Sequence, residues 1–272
     1  MKFKIAVVQF DSQIHEPKQN LIKAERFIKE ASEKGAGVII FPEDFITAPI
    51  WNKLDLIDRN FTYRDMFIRF AKEYKIDIIT GSFLEENKTG DYNTSYYIDF
   101  KGRVKARYQK NNLWLTERNY ITSGNEVSVF NTRFGKAGIV ICWDLAFPEM
   151  FRRMVSKGVK IVYCPSWWGY KDTKIALKYD LNAEPKFVKA LCQARAMENG
   201  IILVYCNSAG EITVDNYHNE LLGCSQVAVP FKGVQKILDH NKEEMFIEEV
   251  DTQIVKDHEK GYKIKRDLKN RF

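Results

Sequence analysis

Four residues at the ends of strand-like segments could together carry covalent chemistry: a cysteine, a lysine and two glutamates. They are Cys142, Lys110, Glu43 and Glu117. A thiolate is a strong nucleophile, a carboxylate can take the thiol proton, and an ammonium can stabilise the oxyanion of a tetrahedral intermediate. Cysteine, glutamate and lysine are therefore a sufficient set for acyl transfer.

The cysteine lies at a boundary between a predicted strand and a predicted helix. An apolar run, Gly138-Ile139-Val140-Ile141, leads directly into Cys142, and Pro148 suits the first turn of the helix that follows. That helix is predicted from Glu149 to Lys157 and ends before Gly158. Backbone N–H groups and the positive end of a helix would favour a thiolate at Cys142. The alternative is that Cys142 is a small buried apolar side chain, as most free cysteines are.

The other three residues each allow a simpler interpretation. Glu43 follows a strand predicted from Gly37 to Phe41, but it could be a charged residue that opens a loop. Lys110 could be a solvated loop lysine, and Glu117 could form a weak surface ion pair with Arg118. The chain's histidines lie in polar segments that offer no evident partner for the cysteine, so a Cys-His pair is the weaker hypothesis; they are His15, His218, His240 and His258.

Five short motifs in order resemble those of the nitrilase, or carbon–nitrogen hydrolase, superfamily. They are Phe41-Pro42-Glu43, Tyr108-Gln109-Lys110, Ile141-Cys142-Trp143-Asp144 with Phe147-Pro148-Glu149, Arg195-Ala196-Met197-Glu198-Asn199, and Gly223-Cys224-Ser225-Gln226. The resemblance implies a catalytic triad of Glu43, Lys110 and Cys142, with Glu117 as a second glutamate that positions the substrate. It departs from the family at Asn111-Asn112, where a histidine is common, and at Trp114-Leu115-Thr116, where a proline is common.

The resemblance also implies a fold and an assembly. Alternating strands and helices with hairpins predict a mixed α/β fold. The family resemblance further implies a four-layer αββα sandwich of two packed sheets. Homodimers or larger homo-oligomers are expected, because family members usually pair through the helices beside the cysteine. Asp144 and Glu149 are expected to complement the helix dipole or to be structural.

The implied activity is hydrolysis of a non-peptide C–N bond in a small linear amide or N-carbamoyl amine. Lys110 and the backbone N–H of Trp143 would hold the oxyanion, and neither a metal nor an organic cofactor is required. Nitrile hydrolysis is the alternative within the family, and a catalytically silent binding protein is the alternative outside it. The tryptophans near the motif ends are interpreted as substrate-binding walls, with core packing as the alternative; they are Trp114, Trp143, Trp167 and Trp168.

Composition excludes several other classes of protein. The 272 residues carry no linker of Pro, Gly or Ser, so we expect one domain over 1–272 with a C-terminal tail from about residue 255. Five cysteines without a close pair predict free thiols, and no apolar run reaches the roughly 20 residues of a membrane span, so a cytoplasmic protein is expected. The net charge of +6 is spread along the chain, and no nucleic-acid partner is expected. The exception is the basic tail, for which nucleic-acid binding is the weaker alternative; its cations are Lys260, Lys263, Lys265, Arg266, Lys269 and Arg271.

Periodicity predicts most of the framework. A helix is predicted from Pro17 to Lys34, with Leu21, Ala24, Ile28 and Ala31 on one face. Gly102 predicts a tight hairpin between strands at 93–100 and 103–108. The remaining predictions are helices at 58–74 and 185–198 and strands at 2–10, 77–80, 127–130, 136–142, 159–164, 201–206, 222–229, 234–238 and 245–250.

Overall fold

The computed structural model of the chain describes residues 1–51, 53–214 and 217–268. The strands are β1 (Lys2–Gln9), β2 (Val38–Ile40), β3 (Asp77–Ile79), β4 (Phe83–Asn87), β5 (Gly90–Ile98), β6 (Val104–Gln109), β7 (Phe130–Thr132), β8 (Gly135–Ile139), β9 (Ile161–Ser166), β10 (Ile202–Asn207), β11 (Glu211–Val214), β12 (Tyr217–Glu220), β13 (Gln226–Val229), β14 (Gly233–Ile237) and β15 (Glu244–Asp251). The α-helices are α1 (Pro17–Glu33), α2 (Thr62–Tyr74), α3 (Pro148–Ser156), α4 (Ala183–Asn199), α5 (Gln253–Tyr262) and α6 (Ile264–Leu268).

The strands form two large mixed sheets within the described residues. The first has the order β15-β1-β2-β3-β5-β4, with β6 paired to β5, and the second has the order β14-β13-β10-β9-β8-β7. Strands β11 and β12 form a separate hairpin. The predicted α/β class and the αββα sandwich are confirmed.

The layers follow from the alternation of side chains along β1. Ile5 and Val7 face the second sheet and belong to the core between the sheets, whereas Ala6 and Val8 face the opposite way and pack with α1 and α2. Helices α3 and α4 cover the outer side of the second sheet with residues such as Phe151 and Val188. Each sheet is thus covered by helices on one face and by its partner sheet on the other.

Strand direction brings the motif ends to one edge. Strand β2 is parallel to β3, β3 is antiparallel to β5, and β5 is antiparallel to β6. Strand β6 therefore runs in the direction of β2, and both end at the edge where Glu43 and Lys110 follow. In the second sheet, β8 is parallel to β9, so the segments leading to Cys142 and Trp167 also emerge at a common edge.

Most predicted elements lie within a few residues of their expected positions. The hairpin turn is present, and Gly102 has a φ of 73°, in the left-handed region that favours glycine. The strand predicted to reach Cys142 ends instead at Ile139, and Cys142 opens a short 3₁₀ helix, Cys142–Ala146. Strand β4, the hairpin of β11 and β12, and helices α5 and α6 had no counterpart in the predictions.

The segment predicted as a tail is helical as far as it is described. Val255 and Leu268 join the main hydrophobic core, while Lys260, Lys263 and Arg266 are exposed. Lys269 and Arg271 lie outside the described residues. Among the described residues, no helix combines the length and apolar character needed to cross a bilayer.

Candidate active site

The loop after β2 and the end of β6 bring an ammonium between two carboxylates. Lys110 Nζ lies 2.8 Å from Glu43 Oε1 and 2.8 Å from Glu117 Oε2, and the lysine side chain is 1% exposed. Asn93 on β5 donates to Glu43 Oε1 at 2.8 Å and to Glu117 Oε1 at 3.4 Å. Two carboxylates thus hold the ammonium at one point, and the Asn93 amide bridges the two carboxylates.

Backbone groups fix the two carboxylates further. Glu43 Oε2 accepts the N–H of Trp167 at 2.9 Å, which ties the first sheet to the end of β9. Glu117 Oε2 accepts the N–H of Trp114 at 2.6 Å. The Arg118 guanidinium instead donates to the carbonyl of Leu113 at 3.2 Å. The structure therefore does not support the alternative of a surface ion pair between Glu117 and Arg118.

The cysteine thiol lies at the same place. Cys142 is buried, donates to the carbonyl oxygen of Trp167 at 3.6 Å, and lines the same pocket as Glu43 and Lys110. Its φ of 47° is unusual for a residue with a Cβ, and such backbone strain tends to cluster at functional sites. This residue opens the short 3₁₀ helix Cys142–Ala146, at the boundary where the sequence places the nucleophile.

Electrostatics at the thiol differ from the sequence-based expectation. Burial raises the pKa of Cys142 well above its usual range, the charge of Glu43 raises it further, and Lys110 lowers it. Burial also raises the pKa of Glu43, partly offset by Lys110, while the two glutamates raise the pKa of Lys110 well above its usual range. The resting cysteine is therefore a thiol, and burial outweighs the elbow geometry that was expected to favour a thiolate.

Asp144 ties the cysteine turn to the lysine segment. Its Oδ2 accepts Ile141 N–H at 3.0 Å and Tyr108 OH at 2.7 Å, and its Oδ1 accepts the N–H and side-chain amide of Asn112 at 2.8 and 2.9 Å. The carboxylate is fully buried, so each of these bonds replaces water. Asn112, one of the departures from the family pattern, supplies two of the four donors.

Two side chains further along the chain hold neighbouring segments of the site. Arg195 on α4 donates to the carbonyls of Leu145 and Ala146 at 3.1 and 3.2 Å. The side-chain amide of Asn207, at the end of β10, pairs with the backbone N–H and carbonyl of Trp168 at 2.8 and 3.0 Å. These two side chains support the site rather than supply reacting groups.

The cluster opens into a cavity of about 920 Å³. All four predicted tryptophans line it, and Trp143 packs against Trp114 and Trp168 with ring centroids 4.6 and 5.7 Å apart. The volume is at the upper end of the range for small-molecule sites. No histidine of the described residues lines it, which weakens the Cys-His alternative.

Sequence reasoning missed several residues of this site. Asn93 lies in an alternating strand and carries no motif that would mark it. Asp44, Tyr120 and Asp172 also line the cavity. For Asp44, the available signal was its position directly after Glu43.

All five cysteines are free and buried, which confirms the prediction of free thiols. They are Cys142, Cys164, Cys192, Cys206 and Cys224. Burial raises the pKa of Cys164 to about 12.

Fold and site geometry agree with the comparisons to known proteins. The sequence profile of the carbon-nitrogen hydrolase family matches residues 4–258. The chain is 30% identical to the 2-oxoglutaramate amidase of Bacillus subtilis (strain 168), covering 93% of this chain and 92% of that protein. It is also 30% identical to the N-carbamoylputrescine amidase of Oryza sativa subsp. japonica, covering 98% and 91%. The crystal structure of Saccharomyces cerevisiae Nit3, a member of the nitrilase superfamily, matches with a TM-score of 0.83 at 22% identity, covering 96% of this chain and 94% of that chain.

The chain belongs to the carbon–nitrogen hydrolase family. It is a hydrolase of the amidase type.

Proposed function

We propose that this protein cleaves a non-peptide C–N bond of a small linear amide or N-carbamoyl amine through a cysteine thioester. The observation that carries this proposal is the contact of one buried ammonium with two carboxylates, in the same cavity as a buried cysteine thiol. Relatives named amidase and N-carbamoylputrescine amidase support the substrate class.

In the first half-reaction, Glu43 accepts the proton of Cys142 while the sulfur attacks the carbonyl carbon. Proton transfer during attack fits a thiol whose pKa lies well above its usual range. Lys110 and the backbone N–H of Trp143 stabilise the oxyanion; Trp143 is in the first turn of its 3₁₀ helix, where N–H groups have no partner inside the helix. The C–N bond breaks, and ammonia or the amine leaves with the proton from Glu43.

In the second half-reaction, water cleaves the thioester. Glu43 takes a proton from the water, the hydroxyl adds to the acyl carbon, and the C–S bond breaks to give the acid. Cys142 leaves as a thiolate and recovers its proton. Glu117 orients the substrate or the water through its contact with Lys110, 2.8 Å away.

The test is to trap the intermediate and identify its position. With a slowly hydrolysed amide, intact-mass and peptide analysis should place the acyl group on the peptide that holds Cys142. The matched control is Cys164→Ala, which removes a buried thiol at the end of the neighbouring strand β9 and should leave the adduct in place. An adduct on Cys164 or Cys192 would contradict the mechanism.

A substrate screen separates the alternatives. Ammonia release is measured for small amides, ω-amides, N-carbamoyl amines and nitriles. Turnover of nitriles alone would favour the nitrilase alternative. No turnover of any class and no adduct would favour a silent binding protein.

We also propose that the protein is cytoplasmic, has a single domain, and forms a homodimer or a larger homo-oligomer. The core shared by the two sheets and α5 supports one domain, and the free cysteines support a reducing compartment. Large exposed apolar side chains lie close together in sequence beside the cavity, as expected for a subunit contact; they are Ile175, Tyr179, Leu181 and Phe187. Sedimentation of the wild type and of Leu181→Asp tests this, and a monomeric wild type would refute it.

A further inference from the structure

The loop after β2 places another carboxyl group in the cavity wall, directly beside Glu43. Asp44 lines the cavity, is 8% exposed, and has a φ of 48°, in the left-handed region. Neither of its carboxyl oxygens has a hydrogen-bond partner among the described residues; Oδ1 is buried, and Oδ2 is the oxygen left to face the cavity. The proposed mechanism does not use this carboxyl.

Other buried carboxyls of this protein are well satisfied. Asp58 accepts three backbone N–H groups, and Asp144 accepts four hydrogen bonds. A buried polar group without a partner is costly, and natural proteins retain few of them. An unpaired carboxyl in a ligand-sized cavity therefore indicates a partner that the substrate supplies.

The charges around Asp44 indicate the sign of that partner. Three carboxyls, those of Glu43, Asp44 and Glu117, face one buried ammonium, and Lys110 already pairs with both glutamates at 2.8 Å. Burial and the charges of the two glutamates raise the pKa of Asp44 well above its usual range, so the group favours its neutral form until a cation binds and stabilises the carboxylate. A cation bound here would relieve the repulsion, whereas an anion would add to it.

We propose that Asp44 selects substrates that carry a primary ammonium group a few bonds from the scissile carbonyl. The inference rests on the proposed amide hydrolysis. Asp44 and Cys142 line the same cavity, so one small substrate can contact both residues. Tyr120 lines the same cavity, where burial and then the charge of Asp44 raise the pKa of its phenol, and its hydroxyl oxygen offers the ammonium a second acceptor.

Lysines also line this cavity, and the test must allow for them. Lys171 is half-buried and Lys174 is exposed. An anionic substrate group bound by these lysines would give the opposite preference.

The experiment compares matched substrates that differ in one terminal group. γ-Aminobutyramide ends in an ammonium where valeramide ends in a methyl group, and an aminoalkyl urea is compared in the same way with its alkyl urea. The wild type should favour the ammonium member of at least one pair in kcat/KM. Asp44→Asn, which keeps the shape and removes the charge, should reduce that preference by about ten- to a hundredfold, the typical worth of a charge-assisted hydrogen bond.

Asp172→Asn is the matched control. Asp172 is a second carboxyl of the cavity wall, but it already accepts hydrogen bonds from Gly169 N–H and Asn219 at 2.9 and 2.8 Å. Its substitution should leave the preference ratio unchanged. An equal loss of preference in both variants would indicate a general field effect and would overturn the role of Asp44.

Several outcomes overturn the inference. If valeramide is turned over as fast as γ-aminobutyramide and the urea pair shows no preference, ammonium selection is refuted while the proposed hydrolysis stands. Faster turnover of glutaramate than of γ-aminobutyramide favours the lysines instead. No hydrolysis and no adduct on Cys142 overturns both proposals.

A measurement on the wild type keeps the inference testable if Asp44→Asn does not fold. Butylammonium should slow the labelling of Cys142 by iodoacetamide more than butanol does at equal concentration. Equal effects of the two compounds would refute the ammonium site.

Discussion

Replacing Lys110 by methionine removes the ammonium while nearly preserving the shape of the side chain. Glu43 and Glu117 each have an oxygen within 2.9 Å of Lys110 Nζ, so their charges would then face each other without a cation. At a separation of about 5 Å and an effective dielectric constant of about 20, the repulsion is roughly 3 kcal/mol, or about two pK units. One glutamate of the variant should therefore hold a proton near neutral pH.

This change should slow turnover in two ways. Loss of one oxyanion donor costs about 10²–10³ in kcat in a studied hydrolase, and protonation of Glu43 removes the base. Because the pKa of Glu43 rises further in the variant, the acid limb of the pH–rate profile should move to higher pH. The pKa of the Cys142 thiol should rise as well, since Lys110 lowers it in the wild type, and iodoacetamide should label the variant more slowly.

The assays are ammonia release against pH, iodoacetamide labelling, and urea unfolding. Removing one member of a buried ion pair costs about 3–5 kcal/mol, and proton uptake by a glutamate should reduce that loss. Lys34→Met is the control, because Lys34 pairs with Glu30 on the exposed face of α1. A Lys110→Met enzyme with kcat within tenfold of the wild type and an unmoved acid limb would refute the oxyanion role.

Further predictions concern the other buried groups. Cys142→Ala should abolish turnover and leave the circular dichroism unchanged, and residual activity within tenfold would exclude the thiol mechanism. Glu43→Gln and Glu117→Gln should both depress kcat. Only Glu43→Gln should move the pH midpoint of iodoacetamide labelling at Cys142 clearly to lower pH, because the Glu43 carboxylate adds to burial in raising the pKa of the thiol. Equal labelling midpoints in the two variants would argue against an interaction between Glu43 and the thiol. Asp144→Ala should lower the free energy of unfolding by about 3 kcal/mol or more, because several buried hydrogen-bond donors lose their acceptor. An unchanged urea midpoint would contradict this prediction. Burial raises the pKa of Asp172 to about 7, so the folded state favours its protonated form; stability is lost as pH rises from about 4 to about 7, and Asp172→Asn should flatten that decline in urea titrations.

Local sequence patterns determined much of the framework. The apolar spacing of α1, the proline that opens α3 and Gly102 in its hairpin act over a few residues, and the structure has each of them where predicted. The order of the five motifs, together with the family they resemble, indicated that Glu43, Lys110 and Cys142 meet.

Strand β4 shows why some elements were not predictable from local pattern. Its sequence Phe83-Leu84-Glu85-Glu86-Asn87 reads as a charged loop, yet Glu85 is fully buried. Arg107 on β6 donates to its Oε1 at 2.7 Å, and Tyr96 on β5 donates to its Oε2 at 2.7 Å. These hydrogen-bond partners on two other strands compensate the burial of the Glu85 charge. They are distant from Glu85 in sequence, so the residues around Glu85 could not predict them.

The sequence by itself determined which reactive side chains stand at strand ends, because strand periodicity and turn residues are local properties. Only the tertiary structure decided the state of the site: the sharing of Lys110 between two glutamates, the raised pKa of the Cys142 thiol, and the unpaired carboxyl of Asp44. These depend on burial and on charges brought together from distant parts of the chain. Electrostatic free energies follow distance and desolvation in space, which the order of residues does not specify.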